Sequence, residues 1–275
     1  MDARLVQPRH NERLTNPFRE ALRPGKPLIG IWSMLNSINA SEGLGWAGYD
    51  WLLIDGEHAP ITLPDAMTHL RALAPTPTVP IVRLPWNDRI LLKQFLDAGA
   101  RTLMLPYVQN ADEARAAVDA MHYPPRGSRG VAAMHRASRY GFEKDYLRNA
   151  SDSLFLIVQA ETAQALDNID TIAAVDGVDA VFFGPGDLAA SMGKLGQAAD
   201  AEVTDAIDRA AERVRACGKA VGVLAPTPDI AERHLRTGYD FVSVANEAAL
   251  LFSAASASAQ RFRQVAGTSV LEPGV

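Results

Sequence analysis

The 275-residue chain has one cysteine, Cys217, so it has neither an internal disulfide framework nor a cysteine-rich zinc site. No stretch reaches the roughly 18 consecutive apolar residues of a membrane span. The first residues, Met1 to Arg13, lack the apolar segment of a secretory signal. Excess positive charge is also missing: 27 Lys and Arg stand against 32 Asp and Glu, a net charge of −5. That balance argues against nucleic acid or an anionic membrane surface as the main partner. Together these absences point to a cytoplasmic protein acting on small molecules. There are only five lysines (26, 93, 144, 194 and 219), none at the C-terminal end of an expected strand. A Schiff-base aldolase needs such a lysine, so carbonyl chemistry here would call on a metal as electron sink.

What is present is an alternation. Short β-rich apolar runs recur at Leu28–Ser33, Trp51–Ile54, Val79–Leu84, Thr102–Pro106, Leu154–Gln159, Ala180–Phe183, Ala220–Leu224 and Phe241–Val244. Most are continuously apolar, as strands covered on both faces are. Helical segments follow at Ser41–Gly48, Pro64–Ala74, Arg89–Gly99, Ala111–Met121, Thr162–Ala174, Glu202–Gly218, Thr227–Thr237 and Ala248–Val265. Gly48, Gly99, Gly177, Gly218 and Gly238 precede the next strand, where a left-handed C-cap is needed. Eight β-then-α units predict a single-domain α/β fold, a (β/α)8 TIM barrel, over residues 28–265. The rival open sheet would carry a glycine-rich phosphate loop after its first strand, whereas Met34 to Asn39 holds no glycine, so no nucleotide cofactor is expected. Residues 1–27 read as a poorly packed N-terminal extension and 266–275 as a flexible tail. The connection from His122 to Ser153 is long enough to be functional or disordered.

In such a barrel, chemistry sits at the C-terminal strand ends. There the chain places Asp55, Glu57 and His58, then Arg83, then Gln159 and Glu161, then Gly184-Pro185-Gly186-Asp187. Glu161 and Asp187 lie one βα unit apart. As a pair of carboxylates they suit Mg²⁺ or Mn²⁺; alternatively, each caps the following helix or pairs with an arginine. His58 titrates near working pH and fits a general base or acid; otherwise it is a structural imidazole bonded to the chain. Arg83 either polarises a ketone and steadies an enolate, or pairs with a rim acid such as Asp55 or Glu57.

Tyr49-Asp50-Trp51-Leu52-Leu53-Ile54-Asp55-Gly56-Glu57-His58-Ala59-Pro60 resembles the signature of the HpcH/HpaI family of class II, metal-dependent pyruvate aldolases. The likeness continues through Gly30-Ile31-Trp32, Arg83, Leu96-Asp97-Ala98-Gly99-Ala100, Tyr123-Pro124-Pro125, Arg129-Gly130-Val131, Ala165 to Asp170 and Gly184 to Leu188. The resemblance implies a divalent ion (Mg²⁺, Mn²⁺ or Co²⁺) on Glu161 and Asp187, with His58 as base. It implies that Asp97, from a neighbouring subunit, raises the basicity of His58, and that Arg83 stabilises charge on the pyruvate oxygen. Gln159 and the backbone of Gly186 and Asp187 would hold pyruvate, and Trp32 and Leu224 would line the pocket. It further implies a homo-oligomer, a hexamer built as a trimer of dimers with the C-terminal helix exchanged. The expected reaction is reversible aldol cleavage of a 4-hydroxy-2-oxo acid to pyruvate and an aldehyde, as in the catabolism of aromatic compounds, with hydroxypyruvate as a further donor. The alternatives are a lyase for a sugar-derived 2-keto-3-deoxy acid, an oxaloacetate decarboxylase, and a 2-oxo acid-binding sensor.

Overall fold

A computed structural model describes residues 14–268. In chain order it runs α1 (Pro17–Ala21), β1 (Leu28–Ser33), α2 (Ile38–Leu44), β2 (Trp51–Asp55), α3 (Leu63–Leu73), β3 (Val79–Arg83), α4 (Arg89–Asp97), β4 (Thr102–Leu105) and α5 (Ala111–Met121). A long connection with a 3-10 turn (Arg136–Gly141), α6 (Tyr146–Asn149) and a second turn (Ala150–Ser153) leads to β5 (Phe155–Ala160). Then come α7 (Ala163–Asp167), α8 (Ile169–Ala173), β6 (Ala180–Phe183), α9 (Pro185–Ser191), α10 (Ala201–Ala216), β7 (Ala220–Leu224), α11 (Pro228–Arg236), β8 (Phe241–Asn246) and α12 (Glu247–Val265). The eight strands pair in parallel and in sequence order into a closed barrel, β8 returning to β1.

Two apolar layers hold it. Outward side chains such as Ile31, Leu52, Val82, Leu103 and Val181 pack against the helices. Inward ones, among them Trp51, Ile81, Met104, Phe155, Phe182 and Phe241, fill the barrel. Two glycines make room for the rings: a Cβ at Gly30 would fall 2.0 Å from Trp51, and one at Gly222 2.3 Å from Phe241. The period-two alternation that points these residues inward points Trp32, Asp55, Arg83 and Gln159 inward at the C-terminal end of their strands. That end is the rim.

The expectation of a poorly packed extension fails for the segment ahead of β1. Phe18 on α1 is fully buried, edge-on to Phe155 and Phe241 at 5.3 and 5.2 Å, closing the barrel's N-terminal end. Asn16 caps α1 and ties it to Thr102 and to the Ser153 carbonyl. Residues 1–13 and 269–275, which hold the rest of that extension and most of the expected tail, lie outside the described residues. The long connection is ordered. Arg129 inside it is buried and donates to Asp97 at 2.6 Å. No helix among the described residues is long and apolar enough to cross a membrane.

Candidate active site

The end of β2 and the turn after it bring three acidic or basic side chains, Asp55, Glu57 and His58, to the rim. Asp55, fully buried, accepts two hydrogen bonds from Arg83, Nε to Oδ1 at 2.9 Å and Nη2 to Oδ2 at 2.6 Å. Trp32 Nε1 donates to the same Oδ2 at 2.9 Å, and the backbone N–H groups of Glu57 and His58 donate to Oδ1. Burial alone would raise the Asp55 carboxyl. The Arg83 hydrogen bonds and charge, with the Trp32 bond, outweigh it and hold the group below the usual carboxylate range. Arg83 Nη1 reaches Glu57 at 2.8 Å, and its guanidinium lies 4.8 Å over the Trp32 ring. Arg83 is therefore held on three sides, by Asp55, by Glu57 and by the Trp32 ring. Both sequence-level roles for Arg83 remain compatible, because the pairing with rim acids is what aims it.

Across the rim, β5 ends in Gln159 and Glu161, both buried. Glu161 accepts from the Tyr107 backbone N–H at 2.8 Å and from Gln159 Nε2 at 2.9 Å. Both donors are neutral. Burial pushes the Glu161 carboxyl up to about 7; the Tyr107 bond opposes this, while the charges of Glu57 and Asp187 add to it. Asp187, in the first turn of α9, accepts from the Tyr107 phenol at 2.9 Å. A Cβ at Gly184 would sit 2.7 Å from Glu161 Oε2, so glycine is what lets the β6–α9 turn approach the carboxylate. At Gly186, by contrast, a Cβ would meet nothing. Leu224 ends β7 half-buried against the barrel interior.

His58 stands exposed beside this cluster, its Nε2 3.9 Å from Glu57. Trp32, Arg83, Gln159, Glu161, Asp187 and His58 thus share one rim. Asp97 does not. It closes α4, which runs back from the rim, so it lies at the other end of the barrel, held by Arg129 and 3.6 Å from His135. Within one chain it cannot reach His58.

Sequence reasoning missed Tyr107. This residue bonds both Glu161 and Asp187, adopts a left-handed backbone (φ 52°), and stacks on Trp86 with ring centroids 6.0 Å apart. The rule that found its neighbours applies equally here, since Tyr107 follows the end of β4 by two residues.

A parallel barrel with a fixed arginine and paired carboxylates at its C-terminal rim defines a class of (β/α)8 enzyme that handles oxyanionic substrates. The chain belongs to the HpcH/HpaI aldolase/citrate lyase family, which it matches over residues 28–254. It is 48% identical over 257 residues to a 4-hydroxy-2-oxo-heptane-1,7-dioate aldolase of Klebsiella pneumoniae, covering 93% of this chain and 97% of that one. An HpcH/HpaI aldolase/citrate lyase family protein from Burkholderia cenocepacia superposes with a TM-score of 0.87 at 41% identity, covering 90% of this chain and 100% of the other. An HpcH/HpaI aldolase from Desulfitobacterium hafniense gives 0.80 at 26%, covering 90% and 96%.

Proposed function

We propose that the chain catalyses reversible aldol cleavage of a 4-hydroxy-2-oxo acid to pyruvate and an aldehyde. The observation that carries this reading is the buried Arg83, locked by Asp55 and Glu57, on the same rim as Glu161 and Asp187. The two carboxylates fit a divalent cation. They offer only oxygen donors, and Glu161 is buried with neutral hydrogen-bond donors alone, beside the charges of Glu57 and Asp187, which act on it more strongly than the opposing charge of Arg83 does. Among the described residues no three His, Cys, Asp or Glu side chains are grouped to hold an ion by themselves. Coordination positions would therefore remain for substrate oxygens and water. Mg²⁺, Mn²⁺ and Co²⁺ are the ions proposed.

When bound, the cation supplies positive charge beside the 2-oxo and carboxylate oxygens of the substrate. The chain's own groups do the rest. The Gln159 amide and the free N–H groups of Gly186 and Asp187 hold the substrate carboxylate, with Trp32 and Leu224 walling the pocket. His58 takes the proton from the 4-hydroxyl. The C3–C4 bond breaks, its electrons form the pyruvate enolate, and the aldehyde departs. Arg83 faces the developing charge on the enolate oxygen, where a preoriented cation lowers the barrier most. The imidazolium then returns its proton to C3. We further propose assembly into an oligomer, a hexamer of three dimers in the cytoplasm, with α12 exchanged and Asp97 delivered from a neighbour to raise the basicity of His58. Nearly all of α12 is exposed in the single chain, including Leu250, Leu251, Phe252 and Phe262.

The test is pyruvate release from 4-hydroxy-2-oxoheptanedioate by EDTA-stripped protein, with and without Mg²⁺, Mn²⁺ or Co²⁺. Release restored by metal supports the reading. Folded protein inert with every ion overturns it. His58→Ala should slow turnover by roughly 10²–10⁴-fold with pyruvate binding retained; wild-type turnover would remove His58 as base.

A further inference from the structure

At the end of the barrel away from the rim, beside the N-terminal ends of β3 and β4, lies a cavity of about 640 Å³. Arg101, Arg136 and Arg139 line it, with Leu70, Pro80 and Tyr140 among its walls and no Asp or Glu. Val79 opens β3 at this cavity and Arg83 ends it at the rim, so about 13 Å of strand separates the two places.

The three guanidiniums are poorly compensated. Among the described residues, neither the Arg101 nor the Arg139 side chain has a hydrogen-bond or ion-pair partner. Arg136 is anchored through Nη1 to the Ala98 carbonyl at 3.0 Å and reaches Leu70 O at 3.5 Å, neither of them a charged acceptor. Burial and neighbouring positive charge hold both Arg101 and Arg136 below the usual arginine range. Tyr146 and Glu143 act on Arg101 in the opposite direction, Tyr146 more strongly than Arg139 does and Glu143 more weakly. Arg101 and Arg136, half-buried and without an anion, carry a desolvation cost that a ligand oxyanion would offset, and the exposed Arg139 stands at the cavity's open side.

The backbone adds an independent observation. Arg139 and Tyr140, both lining the cavity, are consecutive left-handed residues at φ 49° and 56°. Residues with a Cβ adopt that region at a cost, and such strain gathers where a side chain must be aimed. The buried Ser138 hydroxyl holds the turn by donating to Ala133 O at 2.8 Å.

We infer that this cavity is a second, non-catalytic site for a small organic oxyanion carrying at least two negative charges, gripped by Arg101, Arg136 and Arg139. Guanidinium forks match carboxylate and phosphate alike, and the apolar walls leave room for a carbon skeleton. The shared chemistry is therefore a dicarboxylate or a phosphate ester.

Calorimetric titration of the full chain in chloride buffer, with inorganic phosphate in one arm and succinate in the other, tests it. Saturable binding of either anion is expected, with Tm rising as the anion is added, and the stronger arm identifies the source. Arg139→Gln, at an exposed position that should not disturb folding, and Arg101→Gln should each weaken binding tenfold or more while aldol turnover stays near wild type. Absence of saturable binding in both arms, or binding unchanged in Arg139→Gln, overturns the site.

Discussion

Tyr107 donates to both proposed cation ligands, through its main chain to Glu161 and through its hydroxyl to Asp187. Burial and the Asp187 bond raise the phenol to about 12, so it keeps its proton and acts as a donor at working pH. Groups that orient metal ligands are typically worth about 10–100-fold in affinity. Tyr107→Phe should lose that much Mn²⁺ affinity, read as free ion by electron paramagnetic resonance, while the backbone bond to Glu161 survives. Unchanged affinity would leave Asp187 aimed by α9 alone. Glu161 has its own signature. Its folded carboxyl titrates near 7 against an ordinary 4.5, so the folded metal-free state binds that proton more tightly. The resulting stability is fully present below about 4.5 and is lost as pH rises through about 7, on the order of 3 kcal/mol. Urea unfolding of metal-stripped protein should show wild type losing stability relative to Glu161→Gln, whose amide carries no charge, as pH rises across that window; a pH-independent difference would contradict it. Arg83, Gln159, Glu161 and Asp187 were legible because a polar residue ending an apolar run is conspicuous. Asp97 was not, since its partners Arg129 and His135 come from a distant loop.

Elements were legible where one residue type decides the matter. The runs at Leu28–Ser33, Ala180–Phe183 and Ala220–Leu224 match β1, β6 and β7, because continuous burial of apolar strands leaves a contiguous trace. All five glycines expected as caps have φ between 74° and 98°. The segment Thr162–Ala174 was expected as one helix and divides at Asn168, whose side chain turns away to donate to Gln109 O. That tie runs to a residue 59 positions earlier in the chain and is invisible without the partner. The α1 helix was illegible for another reason. It has five residues and one fully buried apolar side chain, Phe18, so it shows no periodicity; its burial exists only once the barrel offers an opening. Phe18→Ala should therefore cost about 3–5 kcal/mol by urea unfolding, the range for a buried phenylalanine deleted without collapse. A loss under about 1 kcal/mol would mean that α1 covers the barrel without filling it.

In the whole molecule His58 and Asp97 sit at opposite ends of the barrel, so a pairing of the two must run between chains. Two features bear on it. The nineteen-residue α12 leaves its apolar side chains in solvent, far more than a solitary helix tolerates without a partner. Its root is nevertheless rigid. Glu247 is buried and accepts from the backbone N–H groups of Met34 and Leu35, at 2.7 and 2.6 Å, and from Ser33 Oγ at 3.0 Å. The helix is thus clamped to the loop that follows β1 and Trp32, so an assembly that captures α12 also fixes part of the rim. If that assembly brings Asp97 of one subunit to His58 of the next, each site is built from two chains. Leu251→Glu with Phe252→Glu should then reduce both the sedimenting mass and turnover. The sharper experiment mixes two impaired variants, His58→Ala and Asp97→Asn, after dissociation and reassembly. Random exchange places an intact His58 opposite an intact Asp97 in about one site in four, so turnover should recover to about that fraction of wild type. Mass-labelled subunits would report whether exchange occurred. Exchange without recovery would place both residues' effects within one chain, and Asp97 would then act only by holding Arg129 and the long connection in place.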